Sequence, residues 1–494
     1  MQKITIDPIT RLEGHGKIEI FLNNEGGVDR AYLQIPELRG FEKFCEGRPA
    51  EEIPRITTRI CGVCPTAHHL AGTKALDDLF KVEPTPTAKK IRELMNSAFV
   101  AEDHVLHFVF LGGPDFVVGP NAPAAERNVL GVINKVGREV GGQVIEMRKR
   151  MRNVLRIIGG KPVCPTCGLP GGVSKGISET ERQTIKEAGA YGVELCGALF
   201  NLFEDVVLKN QDYLDLITGD AFKHQTYYMG MVDKENRVNL YDGDIRVVDP
   251  KGNRFARFKP QEYLEHIGEH AEPWTYVRFS FLKNIGWKGF VDGEQSGVYR
   301  VAPLARLNAA VGMATPRAHA EYEKMYATLG GRPVHNTLAF HWARLIEAMY
   351  GAERVVELAE DPEITSDDLV NLPVNPPREG VGIVEAPRGT LIHHYQTDPK
   401  GIITKVNLIV ATQNNSAAVN MSVEKAAKAL IKNGEVSEGL LNTIEMGFRA
   451  YDPCHACATH SLPGQTPLEL NVYDADRNLV RQLRHGLGNQ RRTS

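Results

Sequence analysis

The sequence predicts an α+β protein that is predominantly helical, with a central bundle of long antiparallel helices and peripheral β-sheets. Three long segments carry apolar residues at helical spacing, at 87–111, 123–158 and 178–210. Short segments of alternating apolar and polar residues lie on both sides of them, separated by turn-forming residues. The composition, with 42% hydrophobic and 24% charged residues, is typical of a globular protein with a sizeable core.

The remaining elements follow in order along the chain. Residues 17–22 and 31–35 alternate around an Asn-Asn-Glu-Gly-Gly turn, which predicts a hairpin, and a helical pattern runs from 59 to about 80. After the long helices, turn residues separate short predicted strands at 227–232, 238–241, 245–248 and 254–258. The later patterns predict helices at 304–312, 317–329, 337–360, 422–433 and 437–449, a Pro-rich loop at 362–379 and strands within 381–411.

These patterns divide the 494 residues into five segments. Such a length suits about two or three domains, or one large elaborated domain. We expect a β-rich segment that contributes to the active site, a helix bundle with one cysteine pair, an inserted β subdomain, a closing segment with another cysteine pair and a C-terminal extension, at 1–58, 59–222, 223–295, 296–460 and 461–494.

Charge and hydropathy exclude several classes of function. The chain has 58 Lys and Arg residues against 61 Asp and Glu residues, which argues against nucleic-acid binding because that role usually needs a basic face. No run of 18 apolar residues occurs, so we expect no membrane span. Residues 1–8 lack the features of a signal peptide. We therefore expect a cytoplasmic protein, although one exported together with a partner would show the same pattern.

Cysteine spacing is the most specific feature of the sequence. Six of the eight cysteines form three Cys-x-x-Cys pairs, and the full set is Cys45, Cys61, Cys64, Cys164, Cys167, Cys196, Cys454 and Cys457. In a reducing compartment such pairs bind metals or carry redox chemistry more often than they form structural disulfides. No segment has the four closely spaced cysteines of a ferredoxin cluster. Electrons from any redox reaction here would therefore leave through another subunit.

Two of these pairs can combine into one metal site. Cys61 and Cys64 open a predicted helix, where unpaired backbone N–H groups and the helix dipole lower thiol pKa values. Cys454 and Cys457 directly follow another predicted helix. Four thiolates around one point suit zinc, iron or nickel. Spacing alone leaves a structural zinc site and a catalytic metal equally open.

Five motifs, in the same order, resemble the large subunit of nickel–iron hydrogenases. They are Arg-Leu-Glu-Gly-His, Arg-Gly-Phe-Glu, Arg-Ile-Cys-Gly-Val-Cys-Pro-Thr-Ala-His-His, Glu-Ala-Pro-Arg-Gly and Asp-Pro-Cys-x-x-Cys-x-x-His, at 11–15, 39–42, 59–69, 385–389 and 452–460. The likeness covers nearly the whole chain. The large quinone-site subunit of respiratory complex I has a similar fold but lacks these cysteines. The resemblance therefore implies an enzyme that oxidises dihydrogen reversibly to two protons and two electrons.

The resemblance implies a role for each cysteine of the two motifs. Cys61 and Cys454 would be terminal nickel ligands, while Cys64 and Cys457 would bridge nickel to an iron that carries one carbon monoxide and two cyanides. Cys454 would accept the proton released when dihydrogen is cleaved, and Glu13 would relay it outward. Without the motif, Glu13 would be an ordinary surface or capping carboxylate.

The resemblance also implies a buried magnesium held by Glu42, His460 and the carbonyl of Leu408, consistent with the preference of this ion for oxygen. Arg388 would overhang the metals and contact one cyanide, and Thr412 would donate its hydroxyl to the other. Without the motifs, Glu42 would be an exposed helical glutamate, His460 a loop histidine and Arg388 a salt-bridged arginine.

His68 resembles a histidine that donates to the bridging Cys457. The alternative for His68 is a core histidine that is satisfied by backbone groups.

Within the family, the segments 36–44, 102–108, 112–115 and 303–308 resemble the cytoplasmic methyl-viologen-reducing type, which does not reduce the deazaflavin coenzyme. The implied partners are an iron–sulfur small subunit, an electron-transfer subunit, heterodisulfide reductase, nickel-insertion proteins and a maturation protease that removes 461–494 after His460. An NAD(P)-coupled bidirectional hydrogenase is the alternative. A further alternative is a non-catalytic, complex-I-like or zinc-stapled scaffold subunit.

The third pair, Cys164 and Cys167, departs from the family, which usually has His-Pro at this point. The pair could bind an extra metal, act as a redox pair or be two small buried residues. We favour the last interpretation, and extend it to Cys45 and Cys196, because free cysteine often behaves as a small hydrophobic residue.

Overall fold

The computed structural model describes residues 3–7, 9–38, 40–459, 468–473 and 479–485. Four long helices form its centre. Phe340–Glu360 packs against Pro86–Leu106 and Glu179–Phe203, and Arg138–Gly159 packs against the same two helices. Apolar residues spaced three or four apart bury one face of Arg138–Gly159 and of Glu179–Phe203, whereas Phe340–Glu360 is buried on all sides over most of its length. The predicted α+β class, with a helical bundle and small sheets around it, is confirmed.

The long helices end earlier than the apolar pattern suggests. The segment predicted as one helix over 123–158 forms Val129–Val136 and Arg138–Gly159, because Gly137 adopts a φ of 95° that no helix continues through. The other two long helices pass into short π-helical turns at His107–Gly112 and Glu204–Leu208. Apolar spacing does not distinguish such turns from α-helix.

Further helices surround this bundle. The longer ones are Pro65–Leu79, Pro316–Thr328, Ala411–Leu430 and Glu438–Arg449. The shorter ones are Phe41–Cys45, Ile53–Thr57, Gly113–Val117, Gln211–Thr218, Tyr263–His266, Pro303–Ala309 and His455–Ala458. Within the described residues, no helix combines the length and apolar character needed to cross a membrane.

The strands form small, mostly antiparallel sheets. One sheet joins Lys3–Ile6, Lys17–Leu22 and Val28–Gln34, and another joins Glu379–Ala386, Gly389–Thr397 and Ile403–Ile409. A four-stranded sheet has the order Tyr299–Arg300, Tyr227–Val232, Asp244–Val248 and Arg254–Phe258, with its first pair parallel. The two-stranded sheets are Ile267–Ala271 with Arg278–Leu282, Gly168–Leu169 with Gly172–Val173, and Leu468–Tyr473 with Leu479–His485.

Close packing of one helix on one sheet fixes the position of the first cysteine pair. Pro65–Leu79, which begins directly after Cys64, packs against strand Glu379–Ala386. A Cβ at Gly380 or Gly382 would lie 2.2 or 2.0 Å from a backbone atom of this helix. Both positions therefore need glycine, and the helix rests directly on the strand backbone.

Three local predictions are wrong. The segment 238–241 forms no strand, and only Val238 makes an isolated bridge, to Val232. The helix predicted from 59 begins at Pro65, because Thr58–Ile60 is a 3-10 turn and Cys61 is extended. The helix predicted from 422 begins at Ala411, where small and amide side chains give no apolar period.

Candidate metal centre

Local backbone geometry turns the first cysteine pair inward. Cys61 follows the 3-10 turn in an extended conformation, and Cys64 caps the helix that Pro65 starts. The backbone N–H groups of Val63 and Cys64 donate to the sulfur of Cys61 at 3.2 and 3.0 Å. Such donors stabilise a thiolate more than a thiol. The sequence predicts that N–H groups at a helix start act on this pair, and the structure shows that the N–H groups just before the helix contact Cys61.

The second pair reaches the same point from the other side of the molecule. Asp452 has a φ of 57°, a left-handed conformation that turns the chain after helix Glu438–Arg449. Cys454 then lies beside Glu13 in a short parallel bridge, in which the amide of His455 donates to the carbonyl of Glu13 at 3.0 Å. Cys457 follows one helical turn later, in His455–Ala458.

The four sulfur atoms meet as the two motifs predict. Sγ–Sγ distances are 3.3 Å for Cys61 and Cys454, 3.5 Å for Cys64 and Cys457, and 2.9 Å for Cys454 and Cys457. All four ligand atoms lie within 4.8 Å of one another and all four residues are buried. Among the described residues, this is the one group of three or more Cys, His, Asp or Glu side chains placed to hold a metal. The donor set is four soft sulfurs, which suits nickel, iron or zinc.

Thiol ionisation shows why this cluster needs a cation. Burial opposes the charge of Cys61, but hydrogen bonds from the other thiols and the charge of Arg388 lower the pKa of Cys61 well below its ordinary value. Burial and the neighbouring sulfurs raise the pKa values of Cys454 and Cys457 well above theirs. The pKa of Cys64 is raised as well, so Cys61 is the one thiol of the four whose pKa is lowered. A bound metal supplies the positive charge that ionises the rest.

Glu13 contacts the cluster directly. Its Oε2 lies 2.9 Å from the sulfur of Cys454 and accepts the amide N–H of Ala456 at 3.2 Å. Burial raises the pKa of Glu13 above its ordinary value of 4.5. The residue is half-buried, whereas the neighbouring Gly14 and His15 are exposed. The carboxyl group thus lies between the buried thiol and the solvent side of the N-terminal segment.

Arg388 places a fixed positive charge near the sulfurs. It lies in the tight turn between strands Glu379–Ala386 and Gly389–Thr397, and it is buried. Its two Nη atoms contact the carboxylates of Asp103 at 3.2 Å and Asp452 at 2.9 Å. Burial opposes its charge, but these carboxylates raise the pKa of Arg388 well above its ordinary value. Its Nε, which has no hydrogen-bond partner within the described residues, is a donor available to an anionic ligand.

Thr412 contacts the backbone of the second cysteine pair, and His68 lies on the helix that follows the first pair. Thr412 lies in the first turn of helix Ala411–Leu430, and its Oγ1 accepts the amide N–H of Cys454 at 3.1 Å. This contact leaves the hydroxyl proton free to be donated elsewhere. His68 lies one helical turn after Cys64 and is completely buried. Its Nδ1 lies 3.1 Å from Nε2 of His393, a side-chain contact on strand Gly389–Thr397.

Of the three residues expected at a magnesium site, the structure describes Glu42 and Leu408. Oε1 of Glu42 accepts the backbone N–H of Leu408 at 2.8 Å, so these two residues meet through the amide of Leu408. His460 lies outside the described residues. The two residues are therefore neighbours, but the contact uses the amide of Leu408 and not its carbonyl, and the magnesium assignment stays a prediction.

Two acidic residues were missed by the sequence reasoning. Asp103 and Asp452 hold Arg388 in place, and both are buried. Asp103 lies in Glu-Asp-His at 102–104, three polar residues between the apolar runs 98–101 and 105–106 of its helix. Charged residues are rarely buried unless they are paired. This interruption of the apolar pattern was the available signal for a buried ion pair.

The remaining cysteines lie apart from the four-sulfur cluster. Cys164 contacts the carbonyl of Thr58 at 3.9 Å, and Cys167 contacts Met95 Sδ at 3.8 Å and His69 Nε2 at 4.0 Å. Burial raises the pKa of Cys167 to about 11. It also raises the pKa values of two further thiols to about 12, those of Cys45 and Cys196. Such thiols are unreactive at neutral pH.

Comparison with known proteins decides the family. The model for nickel-dependent hydrogenases matches residues 39–136 and 275–460, and a HoxL-like model matches residues 3–38. The chain belongs to the nickel-dependent hydrogenases. It is an oxidoreductase that acts on dihydrogen, and the prediction from the two cysteine motifs is confirmed.

Proteins similar to this hydrogenase align with it over nearly its full length. A protein of Archaeoglobus profundus, described as an iron-sulfur subunit of an F420-non-reducing hydrogenase, is 51% identical over 98% of this chain and 100% of its own. The NAD-reducing hydrogenase HoxS subunit beta of Cupriavidus necator is 38% identical over 97% of this chain and 99% of its own. A crystal structure of an NAD+-reducing [NiFe]-hydrogenase in the H2-reduced state matches with a TM-score of 0.87 and 38% identity, over 93% of this chain and 100% of that one.

Proposed function

We propose that this hydrogenase subunit holds nickel and iron between Cys61, Cys64, Cys454 and Cys457, and oxidises dihydrogen reversibly with transfer of electrons to an iron–sulfur partner. The observation that supports this most strongly is the meeting of four buried sulfurs within 4.8 Å, with a carboxyl oxygen 2.9 Å from one of them. A structural zinc site does not require a carboxyl group beside one of its thiolates, whereas a site that transfers protons does.

The nickel–iron pair, carrying one carbon monoxide and two cyanides, would supply the heterolytic cleavage of dihydrogen. Cys61 and Cys454 are the proposed terminal nickel ligands, and Cys64 and Cys457 the proposed bridging ligands. Arg388 and Thr412 offer donors that suit cyanide. The unpartnered Nε of Arg388 and the free hydroxyl proton of Thr412 support this assignment.

Proton movement is assigned to two of the chain's own groups. The thiolate of Cys454 takes the proton, and Oε2 of Glu13 then accepts it across 2.9 Å. This distance lies within the range for direct transfer between heavy atoms. Burial raises the pKa of Glu13 and so brings it closer to that of a thiol, which makes transfer in both directions easier.

Electrons must leave the metal site by a route separate from the proton route through Cys454 and Glu13. Gly62 is exposed between the buried Cys61 and Cys64, and a Cβ at this position would have no heavy atom within 4 Å. The sulfurs therefore lie just below an open patch of surface. We place the iron–sulfur small subunit over this patch. The names of several relatives describe them as single subunits of a hydrogenase, which supports a multi-subunit enzyme.

For the physiological acceptor, we favour the cytoplasmic methyl-viologen-reducing type, coupled through an electron-transfer subunit to heterodisulfide reductase. The 51% identity to an F420-non-reducing relative supports this choice over the NAD(P)-coupled alternative, whose relative is 38% identical. We also propose magnesium at Glu42, Leu408 and His460, and removal of residues 461–494 by a maturation protease after nickel insertion.

The test is elemental analysis with infrared spectroscopy of the protein purified with its native partners, together with intact mass. Nickel and iron near one each in this subunit, with carbon monoxide and cyanide bands, are the expected result. The mass should correspond to a chain that ends at His460. Zinc alone, with no such bands in a cleaved chain, would overturn the proposal. Reduction of NAD(P) without added subunits of a disulfide reductase would favour the alternative acceptor.

A further inference from the structure

A chain of buried hydrogen bonds runs from His68 away from the sulfurs. Nδ1 of His68 lies 3.1 Å from Nε2 of His393, and Nδ1 of His393 lies 2.6 Å from the hydroxyl of Tyr395. The side chain of Thr57 lies beside this phenol, and its hydroxyl donates to the carbonyl of Ile53 at 2.9 Å. All four side chains are completely buried. The proton and metal roles proposed above use none of them, and the family resemblance gives a role only to His68.

Residue spacing along one helix and one strand brings the members of this hydrogen-bond chain together. His68 and Gly72 are four apart on helix Pro65–Leu79, which advances about 6 Å over four residues. His393 and Tyr395 are two apart on strand Gly389–Thr397, which advances about 6.6 Å over two residues and places both on one face. The two pairs therefore face each other. Gly72 makes room for the phenol, because a Cβ there would lie 3.0 Å from the tyrosine hydroxyl.

The hydrogen-bond directions follow from the last member of the chain. Thr57 has one hydroxyl proton and donates it to Ile53, so toward Tyr395 it can only accept. The phenol therefore donates to Thr57 and accepts from Nδ1–H of His393. Nε2 of His393 is then a bare acceptor, which takes the Nδ1–H of His68. Burial raises the pKa of Tyr395 well above its ordinary value, so the phenol keeps its proton.

We propose that His393, Tyr395 and Thr57 are positioning residues that fix the ring orientation and the tautomer of His68. The inference rests on the proposed function and on the role that the family resemblance implies for His68, donation to the bridging Cys457. With Nδ1 committed to the strand, only Nε2 of His68 can serve the sulfur side. A ring free to rotate or to change tautomer would present either nitrogen and would hold the thiolate in more than one way.

Replacement of Tyr395 by phenylalanine tests the proposal in the full complex with its metals. The ring still fills the space beside Gly72, but the acceptor for His393 is lost. Because changes in such supporting groups commonly cost 10- to 100-fold, we expect kcat for dihydrogen uptake to fall about tenfold or more, with KM little changed. The carbon monoxide and cyanide bands of the metal-loaded protein should shift or split, because the bridging thiolate is held differently.

Tyr263→Phe is the matched control. The hydroxyl of Tyr263 contacts Nδ1 of His394 at 2.9 Å, on the opposite face of the same strand, and Tyr263 is also buried. This variant loses an equivalent tyrosine–histidine contact from the same strand without touching the chain that leads to His68. We expect unchanged infrared bands and kcat. Equal effects of the two substitutions would overturn the proposal, because they would report only the stability of the strand.

A second pair of variants covers the case in which Tyr395→Phe fails to load metal. Thr57→Ser keeps the accepting hydroxyl and should retain the wild-type bands and kcat, whereas Thr57→Val should reproduce the band shift and the loss. Wild-type behaviour of both Tyr395→Phe and Thr57→Val would overturn the inference. The proposed function fails separately, if the wild-type complex itself lacks nickel, iron and these bands.

Discussion

Replacing Glu13 with glutamine separates proton transfer from the other roles of the site. The amide keeps the shape of the side chain, and its oxygen can still accept the N–H of Ala456, now 3.2 Å from Oε2. It cannot accept a proton from Cys454 across the 2.9 Å that joins them. Since general acid–base groups typically contribute 10²- to 10⁴-fold, we expect a loss of about 100-fold or more, or roughly 3 kcal/mol of barrier.

The assay compares two rates in the same preparation. Exchange between dihydrogen and D2O needs proton movement at the site, whereas reduction of methyl viologen also needs electrons to leave. Both rates should fall together in Glu13→Gln, while the infrared bands and metal content stay unchanged. A defect in electron exit alone would lower only dye reduction.

Shortening the side chain gives a graded version of the same test. Glu13→Asp withdraws the carboxylate by one methylene, about 1.5 Å, which lengthens the 2.9 Å contact with Cys454 to about 4.4 Å, beyond direct transfer. Aspartate should therefore lose activity too, but less than glutamine, because a water molecule can bridge the gap. In the wild type, the acidic limb of the uptake rate should lie above pH 4.5, because burial raises the pKa of Glu13. Exchange in Glu13→Gln within about threefold of the wild type would refute the relay.

Three further substitutions test other parts of the structure. Gly14→Ala should lower activity and reduce the free energy of unfolding by about 1–3 kcal/mol, because Gly14 has a φ of 82° and a Cβ would lie 2.8 Å from a backbone nitrogen. Glu347→Gln should cost about 3–5 kcal/mol of unfolding free energy, because it breaks a fully buried ion pair. Burial opposes its charge, but the neighbouring arginine and histidine lower the pKa of Glu347 to about 2, so this stabilisation is complete above pH 4.5 and is lost as the pH falls toward 2. Replacing Cys164 and Cys167 together by alanine should leave nickel content and kcat unchanged, because both lie outside the four-sulfur group. Cys167 is buried as predicted, whereas Cys164 is only half-buried.

Matched controls exist for two of these substitutions. Glu360→Gln lies on the same helix as Glu347 but breaks an exposed pair with Lys186, so it should change stability by less than about 0.5 kcal/mol. Gly142→Ala introduces a Cβ with no neighbour within 4 Å, in a helix, and should stabilise slightly. Equal losses from Glu347→Gln and Glu360→Gln at neutral pH would contradict the buried-pair argument. Loss of nickel in the double cysteine variant would reveal a metal role for that pair.

The sequence predicted the long helices and most strands because burial follows the apolar period. It failed where a single backbone angle decides the outcome, as at Gly137, whose left-handed conformation divides a helix that the pattern makes continuous. It also failed at Ala411, where a helix begins with polar and small residues that are buried by tertiary contacts. Local propensity carries no information about such contacts.

The sequence predicted the residues of the candidate site more completely than the residues that hold them in place. Spacing and resemblance identified the four cysteines and Glu13, which the structure brings together. The partners of Arg388 and His68 come from distant elements, Asp103 from a bundle helix and His393 from a strand. Each of these residues alone has a simpler explanation in the sequence. Only the three-dimensional arrangement shows which polar side chains meet.

The separation of the ligands along the chain affects how the site can be assembled during synthesis. Cys61 and Cys454 are 393 residues apart, yet their sulfurs lie 3.3 Å from each other. At 5–20 residues per second, a ribosome needs about 20–80 s to pass from one to the other. Throughout that interval the first two thiols form a two-coordinate half-site that is open to any soft cation in the cell. Which metal binds therefore depends on the timing of synthesis, and selective delivery of the metal has to follow translation of the second cysteine pair.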